Sequence, residues 1–147
     1  MIVYETINIV SVFKNQELLK QLKQLTLDRF SGLSQDLRYF ERLSKFKKNI
    51  NVSIYIAYDH SCPVAWAMLS FAGSQILSNK PYIRHDQEDG VMQIFVRSDY
   101  RGQKIASKLV KLMSKSTNTR LCAFVWDDVS KRFYSQFKQI KLFNIEK

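Results

Sequence analysis

The sequence has 147 residues, of which 46% are hydrophobic and 24% are charged, and its net charge is +10. This length is typical of a single domain, residues 1–147. The 13% aromatic content argues against a disordered chain, because aromatic burial offsets the entropy lost on folding. No apolar run reaches the roughly 18 residues that span a bilayer, and the first residues lack the basic and apolar regions of a signal peptide. We therefore expect a cytoplasmic protein without membrane contact.

Residues 2–10 are rich in β-branched side chains and predict a first strand. Two helices are expected next, one over residues 15–29 and one from about Gln35. Apolar residues three or four positions apart mark the face that each helix buries: Leu18, Leu22 and Leu25 in the first, and Leu37, Phe40, Leu43 and Phe46 in the second.

Residues 51–58 and 63–71 predict two further strands, joined by a hairpin turn at residues 59–62. The polar stretch over residues 73–90 is expected to be mostly loop. Cys62 and Cys122 are too few for a disulfide framework. Because both lie in apolar, strand-like runs, we expect both to be buried. Neither has a second metal ligand at a useful spacing, so the sequence predicts no metal site.

The rest of the chain alternates strands and helices. We expect strands over residues 91–96, 120–126 and 139–145, and helices over residues 103–115 and 129–137. The first of these helices would bury Ile105, Leu109, Leu112 and Met113. The resulting order, β-α-α-β-β-β-α-β-α-β, predicts an α/β fold of the mixed α+β kind, in which helices cover a mostly antiparallel sheet.

The turn that precedes the helix at residues 103–115 has the features of a phosphate site. A helix N-terminus presents unpaired N–H groups and a partial positive charge, and Gly102 lets an anion approach them. Residues 97–147 carry twelve Lys and Arg against four Asp and Glu, whereas residues 1–96 carry eleven against nine. A polyanion is therefore expected at the last third of the chain, with coenzyme A and a nucleic acid as candidates.

The same turn resembles the central motif of the GNAT superfamily of N-acetyltransferases, Arg/Gln-x-x-Gly-x-Gly/Ala after a strand that ends in Val-x-x-x-Tyr. The matching residues are Val96, Tyr100, Arg101, Gly102, Ile105 and Ala106. The resemblance implies a GNAT-like fold that binds acetyl-CoA, with the coenzyme A pyrophosphate on the backbone amides of the turn. It assigns the cofactor site to Phe95, Val96, Arg101, Gly102, Gln103, Lys104, Ile105, Ala106 and Ser107.

One position of this motif departs from the family. Lys104 stands where the family usually has its central glycine. A lysine still offers its backbone N–H, and its ammonium group carries a charge that suits a phosphate. If the position requires a positive φ, however, a lysine there is costly.

A second motif of the family, Asn-x-x-Ala-x-x-apolar-Tyr, is similar to residues 127–134. The resemblance implies that Tyr134 is the general acid and that Asp127 replaces the asparagine that often contacts the pantetheine arm. Ser130 replaces the alanine. Family members often have a carboxylate just before the central strand, so Glu88 and Asp89 are candidates for the general base, with His85 nearby.

Three hypotheses about function follow from these residues. The first is an N-acetyltransferase that moves an acetyl group from acetyl-CoA to a primary amine by direct attack, with backbone N–H groups of Phe95 and Val96 as donors to the tetrahedral intermediate. The second is a catalytically weak binding or regulatory module that contacts nucleic acid through the basic C-terminal third. The third is an acetyltransferase that acts on a nucleic-acid-linked amine, such as charged transfer RNA, and holds its phosphates with the basic C-terminal third.

Two surfaces are candidates for partners. One stripe on the predicted helix suits the phosphates of coenzyme A, a nucleic-acid backbone or a solvated helix face, and it consists of Lys104, Lys108, Lys111 and Lys115. The family usually has two strands after the tyrosine helix, and only one fits between Gln139 and Lys147. The missing strand would leave an exposed sheet edge, which a second copy of the chain could cover in a homodimer.

Overall fold

The computed structural model describes residues 1–26, 32–71, 90–118, 120–125 and 128–144. Its strands are β1 (Ile2–Asn8), β2 (Val52–Asp59), β3 (Cys62–Phe71), β4 (Gly90–Val96), β5 (Leu121–Val125) and β6 (Ile140–Asn144). Its α-helices are α1 (Ile9–Lys14), α2 (Gln16–Leu25), α3 (Gly32–Leu43), α4 (Ile105–Ser116) and α5 (Asp128–Tyr134). A short 3-10 helix, Ser98–Tyr100, lies between β4 and α4.

The strands form one sheet in the order in which they occur along the chain. The pairs from β1 to β4 are antiparallel, whereas β4 with β5 and β5 with β6 are parallel. Parallel neighbours need a crossover connection, and α4 and α5 provide the two crossovers. The structure therefore confirms the predicted mixed fold with a mostly antiparallel sheet.

Helices cover both faces of the sheet, and alternate strand residues point to opposite faces. On β2, Ile54 and Ile56 belong to the core that the sheet shares with α1, α2 and α3. Their neighbours Tyr55 and Ala57 belong to the core shared with α4 and α5. The predicted amphipathic pattern is confirmed in α4, which fully buries Leu109 and half-buries Leu112.

The first strand ends at Asn8 rather than at residue 10, because Asn8 begins a helix that was not predicted. Its side chain accepts a 2.9 Å hydrogen bond from the N–H of Val10 and so satisfies a free donor at the start of α1. Asn15 caps α2 in the same way, with a 3.1 Å bond from Leu18. α3 ends at Leu43, and Phe46, which we expected on its buried side, is 89% exposed.

The hairpin between β2 and β3 turns at His60 and Ser61, where it was predicted. Both residues have positive φ, 49° and 66°, as in a two-residue type I′ turn. The expectation that Cys62 is buried is wrong, because β3 begins at this residue, directly after the turn at the solvent-exposed end of the hairpin. Cys122, in the middle of β5, is fully buried as predicted.

Within the described residues, β6 pairs with β5 alone and forms the end of the sheet opposite β1. Self-association through this edge stays a prediction. Among the helices in those ranges, none combines the length and the apolar character of a membrane span.

Candidate active site

β4 and β5 separate partway along their length. They pair only at the first three residues of β4, which are Gly90, Val91 and Met92. β4 nevertheless continues to Val96, and it stays paired with β3 from end to end. In the part of the chain that the structure describes, the second half of β4 therefore has a free edge that faces a gap beside β5.

The backbone N–H of Val96 points into this gap. Arg97 donates its N–H to the carbonyl of Val64 in β3 at 2.9 Å, and alternate residues of an antiparallel pair bond to the same neighbour. The N–H of Phe95 therefore lies on the β3 side and that of Val96 on the open side. The Val96 carbonyl accepts a 3.1 Å hydrogen bond from Arg101 Nε. Of the two expected backbone donors, Val96 is the one that faces the gap.

Two residues of the turn after β4 adopt left-handed backbone conformations. Gly102 has φ of 83° and Lys104 has φ of 62°. A Cβ added at Gly102 would meet nothing within 4 Å, so the backbone conformation rather than crowding favours glycine there. Lys104, which stands at the central glycine position of the motif, therefore has a positive φ, and this conformation is costly for a residue with a Cβ.

The N-terminus of α4 is uncapped. Lys104 occupies the cap position without a side-chain hydrogen bond, and the first turn contains no acidic residue. The first bond of the helix runs from Lys108 N to the Lys104 carbonyl at 3.1 Å. The N–H groups of Ile105, Ala106 and Ser107 therefore lack intrahelical partners and, together with the helix dipole, form a site of positive potential.

A cavity of about 520 Å³ joins the free edge of β4, the turn and the N-terminus of α4. Most of the residues expected at the cofactor site line it: Phe95, Val96, Arg101, Gly102, Lys104, Ile105, Ala106 and Ser107. Gln103 is exposed and does not line it. Four lining residues were not predicted: Ile94, Tyr100, Phe133 and Gln136. The alternation of β4 would have identified Ile94, which shares a face with Val96, whereas no sequence signal identifies Gln136.

Tyr134, the expected general acid, also lines this cavity. It lies at the C-terminal end of α5 and is 7% exposed, and its ring contacts Phe133 edge-on with 5.1 Å between centroids. Burial raises the pKa of the Tyr134 hydroxyl above its ordinary value. The hydroxyl is therefore protonated at physiological pH.

Three expected site residues, Glu88, Asp89 and Asp127, lie outside the described residues, as does His85. The basic stripe, Lys104, Lys108, Lys111 and Lys115, lies on the exposed side of α4 and its cap. None of its four ammonium groups forms an ion pair within the described ranges of the chain. Of these four lysines, Lys104 lines the cavity.

Comparison with known proteins yields a family match. The model of the acetyltransferase (GNAT) family matches residues 19–137 of the chain. Among curated proteins, none matches the sequence.

Several solved structures share the fold at low sequence identity. A predicted acetyltransferase from Clostridium acetobutylicum, solved with acetyl-CoA, is 18% identical with a TM-score of 0.53, and the match covers 94% of this chain and 89% of that one. The aminoglycoside N-acetyltransferase AAC(6')-Iy, in complex with a bisubstrate analogue, is 12% identical with a TM-score of 0.62 and coverage of 94% and 90%. A transcriptional regulator from Bacillus halodurans is 18% identical, with a TM-score of 0.61 and coverage of 94% and 92%.

Proposed function

Because the chain belongs to the acetyltransferase (GNAT) family, we propose that it transfers an acetyl group from acetyl-CoA to a primary amine. One observation carries this proposal: the uncapped N-terminus of α4, the free edge of β4 and Tyr134 all border the same cavity. Two of the solved structures of similar fold hold acetyl-CoA or a bisubstrate analogue that contains coenzyme A, which supports acetyl-CoA as the donor.

The turn and α4 fit the pyrophosphate of coenzyme A. The N–H groups of Ile105, Ala106 and Ser107 are available to phosphate oxygens, and the helix dipole favours negative charge there. Gly102 has no side chain to obstruct this approach. The exposed cations Arg101 and Lys104 border the cavity and add to the attraction.

The free edge of β4 and Tyr134 fit the transfer step. Acetyl-CoA supplies an activated thioester, whose carbonyl carbon bonds to the amine nitrogen while the carbon–sulfur bond breaks and sulfur leaves as a thiolate. The N–H of Val96 can donate to the carbonyl oxygen as its negative charge develops. The Tyr134 hydroxyl, which borders the same cavity, can protonate the thiolate. For the base that deprotonates the amine, we retain Glu88 and Asp89, and we retain Asp127 for the pantetheine arm.

A transfer assay tests this function. The protein is incubated with acetyl-CoA and one amine at a time, drawn from polyamines, aminoglycosides, peptide N-termini and charged transfer RNA, and the released thiol is measured. We expect thiol release that depends on one of these amines. The Tyr134→Phe variant should lose about 100-fold or more in kcat while it still binds acetyl-CoA. A variant with wild-type turnover would exclude Tyr134 as the acid.

The basic stripe favours a second candidate, in which the same fold binds nucleic acid, either as a weakly catalytic module or to hold a charged transfer RNA acceptor. Successive lysines of the stripe are three or four residues apart, which is about 4.5–6 Å of helix rise. This spacing is similar to that of successive phosphates in an extended single strand. The affinity for nucleic acid should then fall steeply with salt concentration, whereas acetyl-CoA binding should change much less.

A further inference from the structure

The turn of the candidate site is joined to the β2–β3 hairpin by a hydrogen bond over a long sequence distance. The hydroxyl of Tyr100 donates to the carboxylate of Asp59, 41 residues away. Asp59 is the last residue of β2, and Tyr100 is the last residue of the 3-10 helix. Arg101 and Gly102 follow Tyr100 directly, so this bond fixes the chain just before its left-handed turn.

Tyr100 is also held at its ring. The guanidinium of Arg97 lies 4.8 Å from the ring centroid, and Arg97 is itself held by two hydrogen bonds to the Asp99 carboxylate at 2.7 and 3.0 Å. The ring packs against the core that contains α4 and lines the cavity. A displacement of Tyr100 would therefore alter the wall of the cavity.

The backbone before Asp59 and the charge of its carboxylate both suit this contact. The register between β2 and β3 shifts between Ala57 and Tyr58, directly before Asp59, and such irregularities redirect side chains. The hydrogen bond from Tyr100 lowers the pKa of the Asp59 carboxyl, and His60, the terminal amino group at 3.9 Å and Arg97 lower it further. Asp59 is therefore an anion at neutral pH and accepts a charge-assisted hydrogen bond.

We propose that Asp59 is a positioning residue for the acetyl-CoA site, which it serves by anchoring Tyr100. The anchor holds residues 101–104 in the path that includes the strained Lys104 and directs the free N–H groups of α4 into the cavity. Without it, the turn has access to conformations in which fewer of these donors face the ligand. This inference rests on the proposed function, since it names the residues that shape the binding site for acetyl-CoA.

The test compares Tyr100→Phe, which removes the hydroxyl, with Asp59→Asn, which removes the charge at constant size. Tyr58→Phe is the matched control, because Tyr58 directly precedes Asp59 in β2 but donates its hydroxyl to Glu5 of β1 at 2.9 Å and packs against the other core. We expect each of the first two variants to raise the Kd and KM for acetyl-CoA roughly three- to tenfold. The effect should fall on KM rather than on kcat, and the control should bind as the wild type does.

The double variant tests whether Asp59 and Tyr100 affect acetyl-CoA binding through their common hydrogen bond or independently of each other. If Asp59 acts through Tyr100, the double variant binds acetyl-CoA about as well as the weaker single variant. Additive losses, or wild-type affinity in both single variants, would overturn the proposal. Absence of acetyl-CoA binding by the wild type would instead contradict the proposed function.

Amide hydrogen exchange tests the anchor without any ligand. The hydrogen-bonded amides that flank the turn, those of residues 100, 101 and 108, should exchange several-fold faster in Tyr100→Phe and Asp59→Asn than in the wild type, while those of β2 and β3 keep their protection. Unchanged exchange of these three amides would overturn the anchor whether or not acetyl-CoA binds. Faster amide exchange throughout the sheet would show that the substitutions lower the overall stability of the fold. This result too would overturn the proposal.

Discussion

Lys104 adopts a left-handed conformation with φ of 62°, which costs a residue other than glycine about 1 kcal/mol. Lys104→Gly should therefore raise the free energy of unfolding by up to about 1 kcal/mol. Lys104→Ala removes the same charge but keeps the Cβ, so it should give no such gain. Urea denaturation of the three proteins measures the difference. An equal gain from alanine would show that charge, rather than backbone conformation, makes this position unfavourable.

Tyr134 predicts a dependence on alkaline pH. Its burial raises its pKa in the folded state, so from about pH 10 upward the unfolded chain loses this proton more readily than the folded one. The free energy of unfolding should then fall above pH 10, and Tyr134→Phe should remove part of the fall. Denaturation at pH 8 and pH 10.5 measures this contribution. A decline that is identical in the variant would contradict the burial of the hydroxyl.

At the scale of single elements, a negative charge at the uncapped N-terminus of α4 should raise the stability of the helix and weaken the binding of acetyl-CoA. In Ser107→Asp, a carboxylate in the first turn should stabilise the helix by about 0.3–1 kcal/mol through its dipole. The same charge should repel the pyrophosphate and weaken acetyl-CoA binding at least several-fold. Ser107→Asn is the neutral control. Denaturation and calorimetry measure the two effects, and unchanged acetyl-CoA affinity in Ser107→Asp would contradict phosphate binding at this helix.

The elements also show what the sequence predicts and what it does not. The turn of the candidate site was located correctly because its glycine and its position before a helix are local signals. α1 was missed because Ile9 and Val10 favour strands, and the capping hydrogen bond of Asn8 overrides that preference. The contact of Tyr100 with Asp59 joins residues 41 apart, so it follows from the packing of the hairpin against the turn and leaves no local pattern.

At the scale of the whole molecule, positive charge is concentrated in the last third of the chain. If the basic stripe binds nucleic acid, the combined substitution of Lys108, Lys111 and Lys115 by Glu should weaken the binding of a single-stranded RNA. The fall of log affinity with log salt concentration should be steeper for the wild type than for the variant, by about 2 in slope. This difference corresponds to about 0.7 for each phosphate contact that the variant loses. Filter binding at several salt concentrations measures this slope.

A matched variant controls for net charge in this experiment. Lys14, Lys20 and Lys45 are equally exposed but lie in the N-terminal third of the chain. Their combined substitution by Glu changes the net charge by the same amount and should leave most of the RNA binding intact. Equal losses in the two variants would indicate that RNA responds to overall charge and that the stripe is a solvated helix face.

Calorimetric titration of acetyl-CoA into the wild-type protein tests the central claim, which is that the turn and the N-terminus of α4 form a coenzyme A site. We predict saturable binding of one molecule per chain with a Kd between about 1 μM and 1 mM, the range that the KM values of enzymes commonly span. Acetyl-CoA should also raise the unfolding temperature, because it binds the folded state. A folded wild-type protein that gives no heat of binding up to about 1 mM acetyl-CoA, the upper end of that range, would contradict the account.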